Sequence, residues 1–269
     1  MSFAHVGDGV EFYYELHGDG PNLLFISGTG GDLRRRPGPQ DAPFGNHFTV
    51  LAYDQRGLGR SSKPDRPYSM AEYADDAAAL MTEIGWASAR VIGASFGGIV
   101  AQELALRHPE KVERLALACT SPGGAGGASY PLHEFASLDP AEQARHMLAL
   151  LDTRWGAAWE AADPARAEAT RNLMLASARP IDTADPAAPM GARRQLEARA
   201  GHDTFDRLPN LKLPVGIFAG RYDGIALAPA QEAMHRQIPG SRLQLFEGGH
   251  LFMFQDPAAY PAIIEFLAG

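Results

Sequence analysis

Six short apolar runs, each stopping at glycine or a polar turn residue, punctuate this chain. They are NLLFISG (22–28), FTVLAYD (48–54), ARVIGAS (89–95), VERLALACT (112–120), LPVGIFAG (213–220) and RLQLF (242–246). Runs this short, mostly without polar alternation, are the pattern of strands covered on both faces. Helical segments lie between them. Ser69-Met70-Ala71-Glu72 has capping-box form, and Tyr73, Ala77, Leu80, Met81 and Ile84 follow at helical spacing. A second helix is expected from Phe96 to about His108, ended by Pro109, a third near 228–238, and a last one opened by Asp256-Pro257. Strands alternating with helices predict an α/β fold with a mostly parallel sheet and helices on both faces. VEFYYELHG (10–18), with FAHV before it, predicts a hairpin forming an antiparallel edge.

The pattern lapses after Thr120. SPGGAGGAS reads as a connector, and residues from about 130 to 205 hold helical stretches such as AEQARHMLALLDTRWGAAW but no convincing strand. A polar break stands at ARPIDTADPAAPMG (178–191), and strand–helix alternation resumes at LPVGIFAG. The helical segment thus interrupts one sheet. The expected organisation is a core at 1–121, an inserted helical cap or lid at 122–208, and the rest of the core at 209–269.

Charge and cysteine usage narrow the function classes. A formal net charge of −8 disfavours nucleic-acid backbone and anionic membrane as partners. The longest apolar runs are a few residues, too short for membrane insertion. The N-terminus MSFAHVGDGVEF lacks a secretory pattern, so a cytoplasmic location is expected. Arg34-Arg35-Arg36 fits either a solvated loop or a contact with an anionic substrate or partner. The single Cys119 excludes an intrachain disulfide and a multi-cysteine metal site, and its apolar context reads as a buried thiol.

The chemistry centres on VIGASFGGIV (91–100). Gly93-Ala94-Ser95-Phe96-Gly97 fits G-x-S-x-G, with a strand before it and a helix after it. Small residues flanking the serine permit the strained turn and close packing that expose a nucleophile. A serine hydroxyl needs a base, and the base an orienting group. Asp223 follows the strand candidate 213–219, and His250 follows the strand candidate 242–246. Ser95, Asp223 and His250 therefore stand in nucleophile–acid–histidine order. Asp256 is a weaker candidate for the acid, because its place before Pro257 reads as a helix cap. The loop Ser27-Gly28-Thr29-Gly30-Gly31 can turn backbone amides inward, so the amides of Thr29 and Phe96 are the expected oxyanion donors. A phosphate cradle is not supported, since no G-K-[ST] follows.

Together these residues resemble the α/β-hydrolase superfamily, in its lidded carboxylesterase, enol-lactonase and methyl-esterase branches, over nearly the whole chain. YDQRGLGRSSKP (53–64) matches that family's D-x-R-G-x-G-x-S-x-P loop, and PEKVERL (109–115) another of its habits. The resemblance implies that Asp54, Arg56, Gly57, Gly59, Ser62 and Pro64 are scaffold. One departure is Ser27-Gly28, where relatives usually carry His-Gly, the histidine supporting the oxyanion loop. Serine at 95 speaks against the dehalogenase and epoxide-hydrolase branches, whose nucleophile is aspartate.

The expected activity is hydrolysis of a small to medium, largely apolar ester or lactone through an acyl-enzyme, with no metal and no cofactor. Two alternatives stay open: C–C bond hydrolysis of a diketone, and ligand binding without turnover. Candidate pocket residues are Gly28, cap residues Leu148, Leu151, Trp155, Trp159 and Met174, and Phe252 and Met253 beside the histidine. For each large side chain among them, packing within the cap or against the core is an equal reading. The sequence does not fix an oligomeric state.

Overall fold

Side-chain alternation along the central strands splits the apolar residues into two layers. The computed structural model describes residues 2–178 and 184–269, with the side chains of residues 8, 133, 136, 137, 140, 141 and 173–178 set aside. Its strands are β1 (Ser2–Val6), β2 (Val10–His17), β3 (Asn22–Ile26), β4 (Thr49–Tyr53), β5 (Ala89–Ala94), β6 (Val112–Ala118), β7 (Val215–Gly220) and β8 (Arg242–Phe246). They form one sheet in the order β1-β2-β4-β3-β5-β6-β7-β8. β1 and β2 pair antiparallel, as do β2 and β4, and the remaining pairs are parallel. The expected edge hairpin is therefore present.

Helix α1 (Met70–Glu83) and α2 (Phe96–Arg107) pack on the layer that takes Leu24, Ile26, Val91, Leu115, Leu117 and Ile217. α7 (Ala228–Gln237) joins that side through Met234. After the short helix α8 (Phe252–Gln255), helix α9 (Ala259–Ala268) covers the other layer, where Leu23, Phe25, Ile92, Ala116 and Phe218 meet Ile263, Phe266 and Leu267. Because both faces are covered, β3, β5, β6 and β7 are apolar almost throughout. The edge strand β8 instead alternates exposed Arg242 and Gln244 with half-buried Leu243 and Leu245. α1 starts at the expected capping box, with Ser69 Oγ accepting from Glu72 N and Glu72 accepting from Ser69 N.

Between β6 and β7 lie α3 (Pro140–Leu151), α4 (Ala157–Ala162), α5 (Pro164–Ala178) and α6 (Ala188–Ala200), with no strand among the described residues. Part of the break read at 178–191 falls outside those residues. The C-terminal end of α3 joins the sheet loops directly. Leu150 C=O accepts from Gly224 N at 2.9 Å, Leu151 C=O from His250 N at 2.6 Å, and Thr153 N donates to Tyr222 C=O at 2.9 Å. At α6, Gly191 crosses Gly57 so closely that a Cβ on Gly191 would stand 2.0 Å from the Gly57 carbonyl oxygen.

Three boundaries differ from the sequence reading, each for a local reason. β6 stops at Ala118 because Cys119 adopts φ 43°. β7 starts at Val215, after Pro214, which has no N–H for the ladder. α9 starts at Ala259, its approach held by Asp256 Oδ1, which accepts from Ala258 N at 2.9 Å.

The loop after β4 braces this end of the sheet. Buried Asp54 accepts from Leu33 N at 2.7 Å and from Arg60 N at 2.8 Å. Burial raises its carboxyl to about 6 against those two amides. Gly59, at φ 51°, passes where a Cβ would fall 2.1 Å from the Asp54 carboxylate. Arg56 Nε donates to Asp76 Oδ2 at 2.8 Å, both side chains being 7% exposed. Such a pair stabilises little over an apolar substitute, yet breaking it strands a charge. Arg56→Met alone is expected to cost about 3–5 kcal/mol in urea unfolding, and Arg56→Met/Asp76→Leu much less. Equal losses in the single and double variants would contradict this.

Candidate active site

The sheet order places β3 between β4 and β5, so the chain reverses its direction of travel there. Loops leaving the carboxyl ends of β3 and β5 then border one crevice, the usual place for a site in open α/β sheets. Ser95 stands on the β5–α2 turn at φ 54°, ψ −117°, a strained state for a residue with a Cβ. Its N–H donates to Ala118 C=O at 2.8 Å, and its C=O accepts from Gly98 N at 2.9 Å. The turn closes only because its flanks are glycine. A Cβ on Gly93 would come within 2.3 Å of Gly97 O, and one on Gly97 within 2.0 Å of Ile26 O.

Ser95 Oγ lies 3.0 Å from His250 Nε2, and His250 Nδ1 lies 2.8 Å from Asp223 Oδ2. Asp223 is 2% exposed, and its other oxygen accepts from Ile225 N at 2.8 Å and Ala226 N at 2.9 Å. A carboxylate fixed this way requires the proton on Nδ1, which leaves Nε2 as an acceptor for the serine hydroxyl. His250 is held as firmly. Its N–H donates to Leu151 C=O, and Gly249 N donates to Gln255 Oε1 at 2.7 Å. Gln255 in turn donates from Nε2 to buried Asp152 at 3.0 Å. Asp256 takes no part in this chain; its second oxygen accepts from Glu247 N at 2.9 Å.

The loop after β3 runs beside the serine, with Gly28 placed so that a Cβ on it would lie 3.4 Å from Ser95 Cβ. Gly30 takes φ 68°, and Gly31 N donates to Gly28 C=O at 3.1 Å, closing a turn around Thr29. Among the described residues neither the Thr29 nor the Phe96 amide donates a hydrogen bond. Phe96 opens α2, so its amide is among those a helix leaves unpaired. The Phe96 ring packs edge-on against Tyr73 at 5.1 Å and anchors the helix start.

Ser95 and His250 open into a cavity of about 400 Å³. Of the candidate pocket residues, Gly28, Leu151 and Met253 line it, with Thr29 at its rim. Leu148 is 1% exposed and does not line it, and Phe252, fully buried, stacks on Phe246 at 5.2 Å. Trp155 and Trp159 stack on each other at 5.6 Å, away from the lining. The Met174 side chain lies outside the described residues. Unforeseen lining residues include Pro39, Leu132, Met147, Ile225 and Tyr260. Helical spacing held one usable signal: Met147 and Leu151 are four apart on α3 and share the face turned to the cavity. Among the described residues no lysine, arginine, aspartate or glutamate lines the cavity. In the arginine run, Arg34 is chelated by Asp32 and Arg36 pairs with Asp41. Among the described residues no group of His, Cys, Asp and Glu is arranged to hold a metal ion, and no helix is long and apolar enough to cross a membrane.

Comparison with known proteins agrees with this architecture. A family model for the alpha/beta hydrolase fold matches residues 21–257. An uncharacterized protein of Mycobacterium tuberculosis is 30% identical over 268 residues, covering 96% of this chain and 78% of that protein. The poly(3-hydroxyalkanoate) depolymerase of Ectopseudomonas oleovorans is 28% identical over 248 residues, covering 91% and 83%. The crystal structure of the enol-lactonase from Burkholderia xenovorans superposes with a TM-score of 0.79 at 25% identity, covering 100% of each chain.

Cys119 borders the same cavity yet is 3% exposed. Burial, and then the Asp223 charge, push its thiol far above the ordinary range. Since the thiolate is the reactive form, the native thiol should be inert. Ellman's reagent at pH 8 should leave the folded protein unmodified and titrate one thiol after unfolding in guanidinium. Rapid modification of the folded protein would contradict this.

Proposed function

The chain belongs to the α/β-hydrolase family, and on that premise we propose that it is a serine hydrolase acting on a neutral, largely apolar carboxylic ester or lactone. The observation that carries this reading is the continuous relay from Asp223 through His250 to Ser95, opening into an apolar cavity.

In the proposed reaction His250 Nε2 accepts the Ser95 proton as Oγ attacks the substrate carbonyl. The oxyanion forms between the Thr29 and Phe96 amides, which have no hydrogen-bond acceptor among the described residues and so are free to donate to it. His250 then returns the proton to the leaving oxygen, and the acyl group stays on Ser95. Water repeats the sequence, with His250 taking its proton as it attacks the acyl-enzyme. Asp223 keeps the imidazole in the tautomer that accepts at Nε2, and it stabilises the imidazolium formed in both halves.

The lining supports a neutral substrate. An anionic acid portion would leave water with no cation among the described lining residues to meet it, a costly transfer. The enol-lactonase among its structural neighbours supports the lactone branch of the reading.

Turnover of a panel of p-nitrophenyl esters, lactones and a vinylogous diketone tests the proposal. Neutral esters or lactones should be the best substrates. Asp223→Asn should lower kcat about 10⁴-fold through the wrong tautomer. Ser95→Ala should fall at least as far. Undiminished hydrolysis by Ser95→Ala, or preference for the diketone, would overturn the assignment.

A further inference from the structure

The cap helix α6 reaches the site at one point. Gly191 docks it on Gly57, and Arg194 meets Asp65 at 3.3 Å. One residue further on, Gln195 is fully buried, and its Oε1 accepts from Gly30 N at 2.9 Å. Its Nε2 has no partner, so the loop after β3 is the amide's one polar contact among the described residues. On the opposite side Gln55 Nε2 donates to Ser27 C=O at 2.7 Å. The peptide bearing the Thr29 amide therefore lies between two held peptides. The core grips the one linking Ser27 to Gly28, and the cap grips the one linking Thr29 to Gly30.

We propose that Gln195 is a positioning residue through which the cap sets the oxyanion loop, so that the site is complete only when α6 is docked. This rests on the reading of the Thr29 amide as an oxyanion donor. Gly30 takes a left-handed φ, and the turn around Thr29 is closed by one long backbone bond, Gly31 N to Gly28 O at 3.1 Å. Thr29 and Gly30 are exposed, so packing supplies little of their rigidity. The glutamine holds the N–H of the following peptide and thereby limits how far the Thr29 amide can tilt. Donors aimed at a developing charge act through such preorganisation. Gln195 does not line the cavity, so substrate binding does not depend on it directly. Its loss should therefore appear in kcat rather than KM.

The test compares Gln195→Met, similar in length but without the amide oxygen, with Arg193→Gln, an exposed position on the same helix, using p-nitrophenyl butyrate. Gln195→Met should lose about tenfold to a hundredfold in kcat with KM within about twofold, and Arg193→Gln should match wild type. Retention of wild-type kcat by Gln195→Met, or a rise in KM alone, overturns the proposal. A second measurement needs no variant: in the wild-type protein the Gly30 amide should exchange with solvent much more slowly than the Thr29 amide. Equal exchange at the two overturns it. A Ser95→Ala control separates the two readings. Turnover surviving that change overturns the hydrolase assignment and this proposal together. Turnover lost there but kept in Gln195→Met overturns this proposal alone.

Discussion

A serine at φ 54° occupies a backbone state that costs about 1–3 kcal/mol, and the surrounding structure is arranged to hold it there. β5 and α2 converge on Ser95 with glycines at the points of closest approach. Gly97 presses on the Ile26 carbonyl, so the strand that leads into the loop bearing Thr29 is also a wall of the serine turn. The Ser95 amide ties the turn to β6 through Ala118. Next to it Cys119, the other described non-glycine residue with positive φ, turns the chain out of that strand. Two adjacent strands thus end in strained residues that face one cavity, and the strain is balanced by the buried sheet beneath.

The rest of the site depends on what the helices between β6 and β7 add to this frame. The end of α3 supplies carbonyls to Gly224 and His250, so one helix end fixes the acid loop and the histidine loop together. α6 acts on the opposite rim through Gln195. These helices are therefore connected by hydrogen bonds to the loops that carry Asp223, His250 and Thr29. The Leu150 and Leu151 carbonyls hold the Asp223 and His250 loops, and the Gln195 side chain holds the Gly30 amide.

Much of this was legible in the sequence wherever the signal is local. The serine turn, the capping box at Ser69 and the two later strand ends carrying Asp223 and His250 each lie within a few residues of their own cause. The cavity lining was not. Leu148 and Met147 are neighbours on one helix, and which of them faces the cavity is decided by how α3 docks. Phe252 follows the histidine closely, yet Phe246 claims its ring. Gln195 stands 165 positions from the glycine it holds, and no periodicity or motif announces such a contact. Local chemistry is written in sequence, whereas the cap's contacts arise only from tertiary packing.

The central claim is that Ser95 carries the substrate's acyl group during turnover. Acid quenching during steady-state hydrolysis of a p-nitrophenyl ester, followed by peptide mass mapping, reads this directly. The account predicts a mass increase equal to the acyl group on the peptide containing Ser95, absent from Ser95→Ala. Acylation at another residue, or no adduct at any time while Ser95→Ala continues to turn over, would contradict it.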